Sequence, residues 1–326
     1  MYNVLLFGDP GIDDSLAIMY ALLNPKINVV GIVSGYGNVS QQQATQNVAY
    51  LLQLAGREDI PIIAGARGPL SGEIAVFYPE IHGEEGLGPI RPPETIQREL
   101  VNFDEVFKII DNYENNLIVV DVGRSTSLAI AYLLGGEEYL RKVKAFHCMG
   151  GAFLVPGNVT PVAEANFHGD PIAANLVLNK FKNVFITPLN VTNHAKITQE
   201  TIQQITSQPF NSFTPLIKPI FDYYTNAYKK LDHGLAGSPL HDVFTFFALV
   251  NPEQVQYVER QASVSINFDK TKGESIADFR AQSSDQIAED ADHIALSFNY
   301  QAFVKDFTTV MTIRHRWATH QANSLY

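Results

Sequence analysis

The sequence predicts an α/β fold with a mostly parallel central sheet flanked by helices. The first observation is a series of short, β-rich apolar runs at residues 3–7, 28–34, 60–64, 117–122, 143–149 and 184–187. These runs are nearly continuous rather than alternating, which is typical of strands buried on both faces. The second observation is that helix-like stretches separate the runs, at residues 14–23, 40–55, 104–112, 125–134 and 170–179. Repeated strand–helix–strand order favours a parallel sheet, with functional sites at the carboxyl ends of its strands.

The chain becomes more helical from about residue 197. We expect helices at residues 199–207, 214–231, 241–250 and 300–313. Residues 256–267 and 275–280 form either a β-hairpin or an addition to the sheet edge. A stretch rich in glycine and proline at residues 83–93 predicts a long loop, and such loops in compact domains are often functional. We expect residues 1–326 to form a single α/β domain.

Composition excludes several classes of function. The 326 residues carry a net charge of −11, which argues against nucleic acid as the main partner because phosphate binding needs a basic face. No apolar run is long enough to span a membrane. Cys148 is the single cysteine, so a disulfide within the chain is impossible, and we expect a cytoplasmic protein with Cys148 as a small buried residue.

The segment after the first strand contains crowded carboxylates. Asp9, Asp13 and Asp14 lie within six residues around a Pro-Gly turn. One interpretation is a turn followed by an aspartate that caps the next helix. The other is a site for a hard divalent cation, because three crowded carboxylates repel each other unless a cation lies among them. The spacing fits neither an EF-hand loop nor an Asp-x-Asp motif, since Phe7 stands two residues before Asp9.

Polar side chains also follow the later strands. Asn38 follows the second strand within a glycine-containing turn, and Thr126 follows the fourth. After the fifth strand come Asn158, Glu164 and Asn166, whose amide and carboxylate groups are suited to hydrogen-bond the hydroxyls of a sugar. Each of these signals is weak alone, but all of them point to the same edge of the predicted sheet.

Two histidines are further candidates. His241 and Asp242 open an apolar helix, where Asp242 is either a helix cap or a fourth carboxylate and His241 could donate a proton to a leaving group. His82 precedes the glycine-rich loop and is either a loop hydrogen-bonder or a site residue. The chain has no Gly-x-Ser-x-Gly elbow and no Cys-His motif, so its chemistry is expected to depend on a metal and carboxylates.

Taken together, these segments resemble the nucleoside hydrolases of the inosine–uridine-preferring type. The motifs occur in the family's order between residue 4 and about residue 250. They are the aspartate motif at residues 9–14, then Gly37-Asn38, His82-Gly83, Thr126, the segment at residues 158–166 and His241-Asp242. The resemblance implies a Rossmann-like fold and hydrolysis of the N-glycosidic bond of ribonucleosides to free base and ribose.

The resemblance also implies a role for each residue. A Ca²⁺ ion would be held by Asp9, Asp14, Asp242 and the Thr126 carbonyl, and Asp9 would be the general base for a bound water. His241 would protonate the leaving base. The 2′- and 3′-hydroxyls of the substrate would be bound by Asp13, Asn166 and Asp242, with help from Asn38. The 5′-hydroxyl would be bound by Asn158 and Glu164. The base would be surrounded by His82, Tyr224 and Tyr228, and the two tyrosines would belong to a flexible helix.

Two departures from the family pattern keep alternatives open. Phe7 stands where the family usually has the first aspartate of an Asp-x-Asp motif, and Asn190 stands where relatives commonly carry aspartate. A catalytically impaired nucleoside- or ribose-binding descendant is therefore one alternative. A metal hydrolase acting on a phosphate or an amide is another. The resemblance also implies a homo-oligomer, either a dimer or a tetramer, and leaves the preferred base open.

Overall fold

The computed structural model describes residues 1–93, 96, 99–231, 237–280 and 291–314. Within these residues no helix is both long enough and apolar enough to cross a membrane. The strands are β1 (Tyr2–Gly8), β2 (Ile27–Ser34), β3 (Ile62–Ala64), β4 (Leu117–Asp121), β5 (Val143–Met149), β6 (Val184–Thr187), β7 (Lys196–Ile197), β8 (Ser238–Pro239), β9 (Val255–Arg260), β10 (Ala262–Val264), β11 (Ser275–Ala277) and β12 (Asp292–Phe298).

The helices alternate with the strands in the first half of the chain and dominate its second half. They are α1 (Ile12–Leu23), α2 (Gln41–Leu54), α3 (Pro79–His82), α4 (Glu105–Asn112), α5 (Thr126–Leu140), α6 (Ala165–Gly169), α7 (Pro171–Lys180), α8 (Leu189–Thr192), α9 (Gln199–Ile205), α10 (Thr214–Leu231), α11 (His241–Val250) and α12 (Tyr300–Met311). A short 3₁₀ helix spans Pro252–Gln254.

The main sheet confirms the predicted mostly parallel architecture. Within the described residues it has eight strands in the order β3-β2-β1-β4-β5-β6-β12-β9. Its pairs are parallel except for the edge pair β12–β9, which is antiparallel. The strand order reverses direction between β1 and β4. In open α/β sheets a crevice forms at such a reversal, outside the carboxyl ends of the strands.

Apolar side chains fill both faces of this sheet, as the continuous runs predict. All five residues of β4 are buried. One core cluster lies against α1, α2, α11 and α12, and the other lies against α4, α5 and α7. Removing this much apolar surface from water is the main force that stabilises the sheet and its covering helices.

The segments near the end of the chain show where local patterns were insufficient. The predicted hairpin or edge addition becomes both: β9 forms the edge of the main sheet, and β10 pairs with β11 in a separate antiparallel pair. Strand β12, which sequence analysis missed, lies between β6 and β9. The helix expected at 125–134 extends to Leu140 across a kink, where Gly136 has a φ of +68° that suits glycine.

Candidate active site

The aspartate motif forms the turn between β1 and α1. Asp9 directly follows β1, whereas Asp13 and Asp14 lie in the first turn of α1, and all three side chains are buried. Asp14 accepts hydrogen bonds from the backbone N–H of Asp9 at 3.0 Å and of Gly11 at 3.3 Å. Asp14 therefore satisfies N–H groups at the start of a helix, which is compatible with both interpretations of this segment.

Asp9 and Asp13 are less completely satisfied. Asp9 Oδ2 accepts the Asn38 N–H at 2.6 Å, and Asp13 Oδ2 accepts the His241 N–H at 2.8 Å. The other oxygen of each, Asp9 Oδ1 and Asp13 Oδ1, is buried with no hydrogen-bond partner among the residues that the structure describes. A buried carboxylate oxygen without a partner costs free energy, and a cation is one way to offset that cost.

Asp242 brings a fourth carboxylate to the same place from a distant part of the chain. It lies in the first turn of α11, which packs along α1, and it is buried. Burial, followed by the charges of Asp13, Asp14 and Asp9, raises the pKa of Asp242 well above its usual range. Burial and the charge of Asp14 do the same to Asp9 and Asp13. The four carboxylates thus share one electrostatic environment.

The chemistry of these donors fits Ca²⁺, which prefers carboxylate and carbonyl oxygens and tolerates irregular geometry. The two partnerless oxygens of Asp9 and Asp13 are the specific observation in favour of this fit. As they stand, no three His, Cys, Asp or Glu side chains of the described residues form a metal-binding group. The carboxylates are therefore suitable ligands for Ca²⁺, and they share one electrostatic environment, but no three of these described side chains already form a metal-binding group.

A buried cation, Arg124, lies beside this acidic cluster. One of its terminal nitrogens donates to the carbonyls of Gly37 at 2.9 Å and Val76 at 2.8 Å. Its guanidinium stacks over the Tyr36 ring at 5.1 Å from the centroid, a cation–π contact. The positive charge of Arg124 lowers the pKa of Asp9, against the larger effects of burial and Asp14. Arg124 thus favours an ionised Asp9.

Thr126 uses its side chain for structure. Its hydroxyl donates to Asp170 Oδ2 at 2.7 Å and lies 3.2 Å from the Tyr36 hydroxyl. Asp170 Oδ1 accepts the Ala173 N–H at 3.1 Å, which confirms that Asp170 caps the helix that begins at Pro171. The backbone carbonyl of Thr126, the atom that the resemblance assigns to the metal, is thereby held in a fixed turn.

Asn38 connects the carboxylates to a cavity. Besides donating its N–H to Asp9, Asn38 donates from Nδ2 to Asp14 Oδ2 at 2.9 Å. The neighbouring cavity has a volume of about 480 Å³, and its lining includes Asn38, His82, Asn158 and Tyr228 together with Arg124. A volume of this size is in the range of small-molecule sites. Four of the predicted site residues therefore line the same cavity.

His82 lies deep in this cavity wall. Its Nδ1 accepts the Ile12 N–H at 3.0 Å, so a neutral ring carries its proton on Nε2. Burial, followed by the nearby His241, lowers the pKa of His82 to about 3. The ring lies 5.9 Å from that of Tyr224, centroid to centroid. His82 is thus a neutral ring in the cavity wall whose orientation is fixed by a backbone N–H.

A chain of hydroxyl groups leads from the cavity to His241. The Tyr224 hydroxyl donates to the Tyr228 hydroxyl at 3.3 Å, which lies 3.2 Å from His241 Nε2. His241 Nδ1 lies 2.8 Å from Thr192 Oγ1. Burial lowers the pKa of His241 to about 4 and raises the pKa of both tyrosines. Two neutral tyrosines and a neutral imidazole are therefore linked by hydrogen bonds along this chain.

The three predicted sugar-binding residues are held by backbone groups. Glu164 caps α6 and accepts the N–H groups of Asn166 at 2.8 Å, Gly151 at 3.0 Å and Phe167 at 3.2 Å. Asn166 Nδ2 donates to the carbonyl of Val122, directly after β4, at 3.0 Å and to that of Met149, the last residue of β5, at 3.1 Å. Asn158 Oδ1 accepts the Ala165 N–H at 2.9 Å. Each side chain is thus fixed in orientation before any ligand arrives.

The two departures from the family pattern have structural explanations. Asn190 Oδ1 accepts the Phe153 N–H at 3.0 Å while its Nδ2 donates to the Phe153 carbonyl at 2.7 Å. A carboxylate could not make the second of these bonds, so asparagine matches this position. Phe7 is buried in the apolar cluster beside α5 and keeps the strand well packed.

Sequence analysis missed three residues of this region: Arg124, Thr192 and Asp121. Asp121 could have been noticed, because a charged residue is unusual within a buried apolar strand. Arg124 could have been noticed because it follows the same apolar run closely. Thr192 gave no such signal, since a threonine at a helix end is common.

Comparison with known proteins places this arrangement in context. The family described as inosine-uridine preferring nucleoside hydrolase matches residues 4–305. Uridine nucleosidase 1 from Arabidopsis thaliana is 33% identical over 257 residues, covering 78% of this chain and 76% of the relative. Pyrimidine-specific ribonucleoside hydrolase RihA from Citrobacter koseri is 33% identical over 278 residues, covering 85% and 88%. The solved plant nucleoside hydrolase PpNRh1 superposes with a TM-score of 0.88 at 27% identity, covering 95% of this chain and 99% of that one.

Proposed function

This chain belongs to the inosine-uridine preferring nucleoside hydrolase family, which supports hydrolysis of ribonucleosides, and we propose that it cleaves pyrimidine ribonucleosides such as uridine. The products would be the free base and ribose. The observation that carries this proposal is the cavity lined by Asn38, His82, Asn158 and Tyr228, in which Asn38 hydrogen-bonds Asp9 and Asp14, two of the four buried carboxylates. The names of two relatives, a uridine nucleosidase and a pyrimidine-specific hydrolase, support the choice of base.

We propose that Asp9, Asp14, Asp242 and the Thr126 carbonyl hold Ca²⁺. When bound, Ca²⁺ would orient the attacking water and the 2′- and 3′-hydroxyls of the ribose. The buried Asp9 oxygen that lacks a partner among the described residues supports this assignment, and the partnerless oxygen of Asp13 is left for a ribose hydroxyl, as the resemblance implies. Binding of Ca²⁺ would draw these carboxylates closer together, since no three of them already form a metal-binding group among the described residues.

The residues of the chain account for both ends of the reaction. Water forms a bond to C1′ and loses a proton to Asp9, while the bond from C1′ to the base nitrogen breaks and its electron pair leaves with the base. Positive charge develops on the ribosyl ring in this transition state, and the carboxylates of Asp13 and Asp242 are suited to stabilise it. Arg124 and the Asn38 N–H favour the ionised form of Asp9, because both lower its pKa against the larger effects of burial and Asp14 that raise it.

The leaving base needs a proton, and we propose that it comes through Tyr228 from His241. The Tyr228 hydroxyl lines the cavity and lies 3.2 Å from His241 Nε2. His241 is neutral near pH 7, because burial lowers its pKa to about 4. It acts as the acid by first taking up a proton from solvent, and transfer of that proton from Nε2 through the Tyr228 hydroxyl to the base nitrogen returns the ring to its neutral form. Tyr224 donates to Tyr228 and keeps this hydroxyl oriented. The expected cytoplasmic location and homo-oligomeric state belong to the same proposal.

Product analysis tests the proposed function directly. A panel of ribonucleosides and 2′-deoxyribonucleosides is incubated with the protein in Ca²⁺ and, in parallel, in excess chelator, and free base and sugar are quantified. We expect uracil and ribose from uridine, little product from 2′-deoxyuridine, and no activity in chelator until Ca²⁺ is restored.

Each other outcome points elsewhere. Binding of ribonucleosides without release of base would support the catalytically impaired alternative. Equal cleavage of ribo- and deoxyribonucleosides would contradict the role of the diol. Full activity in chelator, with no metal found by elemental analysis, would remove Ca²⁺ from the mechanism.

A further inference from the structure

Asp121 is a buried carboxylate that the mechanism so far does not use. It ends β4, and its partner in the parallel register with β1 is Phe7. Side chains of paired residues on neighbouring strands lie on the same face of a sheet. Asp121 therefore projects beside Phe7, on the face covered by α5, and it is only 2% exposed. Such a position in the middle of a sheet normally carries an apolar residue.

The carboxylate of Asp121 is half satisfied. Its Oδ1 accepts the Gly123 N–H at 3.3 Å, and the side chain of Ser125 also hydrogen-bonds it. Its Oδ2 is buried with no hydrogen-bond partner among the residues that the structure describes. A partly satisfied buried charge destabilises a fold, so its presence needs a reason other than stability.

The environment of this oxygen connects it to the candidate site. A small cavity of about 10 Å³, close to the volume that one water molecule needs, is lined by Asp121, Phe7, Gly8, Gly123, Ser125 and Thr126 among others. Gly8 directly precedes Asp9, so both turns that form the acidic cluster meet at this cavity. Burial, and to a smaller extent the charge of Asp14, raises the pKa of Asp121 to about 7, so above that pH its carboxylate is ionised and interacts with Asp14.

The turn at residues 123–126 is held in a demanding conformation. Ser125 has a φ of +61°, in the left-handed region that non-glycine residues rarely adopt. A Cβ atom built on Gly123 would lie 3.1 Å from Asp9 Oδ1, so the turn passes directly against the proposed general base. A small displacement of this turn would move the Thr126 carbonyl and the Asp9 carboxylate relative to each other.

We infer that Asp121 is a positioning residue of the carboxylate site, which fixes the turn at residues 123–126 against Asp9 and adds a negative charge behind it. This inference rests on the proposed function. The sequence lacks an aspartate at position 7, where the resemblance leads one to expect it. The register of β1 and β4 puts a carboxylate on the same face one strand away.

The charge separates this role from ordinary capping. An asparagine at position 121 could still accept the Gly123 N–H and the Ser125 hydroxyl, so a capping role predicts that Asp121→Asn has little effect. The positioning role predicts that removing the negative charge of Asp121 weakens Ca²⁺ binding. Asp292 offers a matched control, since it is another buried aspartate that accepts a backbone N–H, from Ala262 at 2.8 Å, on β12, three strands from β4.

Calcium binding to the full-length chain tests the inference. Isothermal titration with Ca²⁺ alone is performed at pH 8, where Asp121 is ionised, on the unaltered chain, Asp121→Asn and Asp292→Asn, and the rise in unfolding temperature with Ca²⁺ is measured in parallel. We expect Asp121→Asn to weaken Ca²⁺ binding by about 10- to 100-fold, the usual cost of losing a group that supports metal ligands. It should also reduce the Ca²⁺-dependent rise in unfolding temperature, whereas Asp292→Asn should behave as the unaltered chain does.

Several outcomes would overturn the inference. A folded Asp121→Asn variant with unchanged Ca²⁺ affinity would show that Asp121 only caps the turn. If Asp121→Asn does not fold, Asp121→Ser removes the charge while its hydroxyl oxygen can still accept the Gly123 N–H, and unchanged Ca²⁺ affinity in that variant would also contradict the inference. No Ca²⁺ binding by the unaltered chain would overturn the metal assignment itself, and product analysis would then decide the activity separately.

Discussion

Replacing Tyr228 by phenylalanine tests the proton path most directly. The substitution removes one oxygen atom and keeps the ring that lines the cavity. That oxygen accepts from Tyr224 at 3.3 Å and lies 3.2 Å from His241 Nε2, so two hydrogen bonds are lost. A neutral hydrogen bond contributes about 0.5–1.5 kcal/mol, so loss of orientation alone costs about 1–3 kcal/mol. At about 1.4 kcal/mol per tenfold change, this lowers the rate by roughly 5- to 150-fold.

A proton path predicts a further effect that depends on the leaving group. General acid catalysis contributes about 10²–10⁴-fold when the leaving group needs a proton. The assay compares kcat/KM for uridine with that for a nitrophenyl riboside, whose leaving group departs as an anion. We expect Tyr228→Phe to lower the value for uridine by about 10²–10⁴-fold more than the value for the nitrophenyl riboside. His241→Ala should show the same selective loss.

A neighbouring tyrosine provides the matched control. Tyr223 lies on the same helix, and its hydroxyl donates to the Pro79 carbonyl at 3.3 Å, at an exposed position. Tyr223→Phe should leave both rates within a few-fold of those of the unaltered chain. Equal losses for the two substrates in Tyr228→Phe would refute the proton path and leave Tyr228 with an orienting role only.

Three further predictions concern catalysis and stability. Asp9→Ala should lower turnover of uridine by about 10²–10⁴-fold, and initial rates within tenfold of normal would exclude Asp9 as the general base. Burial raises the pKa of Asp292 to about 7, so the native state binds a proton at this carboxylate more tightly than the unfolded state does. The free energy of unfolding should therefore fall as pH rises from about 4 to 7. Asp292→Asn should reduce this fall by at most about 3 kcal/mol between pH 5 and pH 8 in urea unfolding, and the other buried carboxylates with raised pKa values should account for the remainder. Asn190→Asp should lower the free energy of unfolding by about 1–3 kcal/mol, because a carboxylate cannot donate to the Phe153 carbonyl, and an unchanged urea midpoint would contradict this.

The fold and the location of the site were predictable because both follow from short-range patterns. Continuous apolar runs indicated buried parallel strands, and the carboxyl ends of parallel strands meet at one edge. Asp9 and Asn38 were therefore expected near each other from their positions after β1 and β2, and the Asn38 N–H indeed donates to Asp9 at 2.6 Å. No local pattern could tell whether Asp14 was a cap or a ligand, since its oxygens accept backbone N–H groups in either case.

Features that depend on long-range contacts were not predictable. Strand β12 is defined by its pairing with β6 and β9, which are far from it in sequence. Thr192 reaches His241 across 49 residues, and Arg124 reaches Gly37 across 87. These contacts arise from tertiary packing, and a single sequence contains no periodicity that reports them.

The acidic cluster is possible because backbone donors from two helices converge on it. Asp14 accepts N–H groups at the start of α1, and Asp13 accepts the N–H of His241 at the start of α11. Helix N-termini carry partial positive charge, so both helices stabilise the carboxylates that face them. One full cation, Arg124, lowers the pKa of Asp9 from the opposite side. Fixed partial charges and a single guanidinium do not neutralise four carboxylates, since burial and mutual repulsion still raise the pKa of Asp9, Asp13 and Asp242. The remaining negative potential is what favours both a divalent cation and a ribosyl ring that becomes positive as its bond to the base breaks.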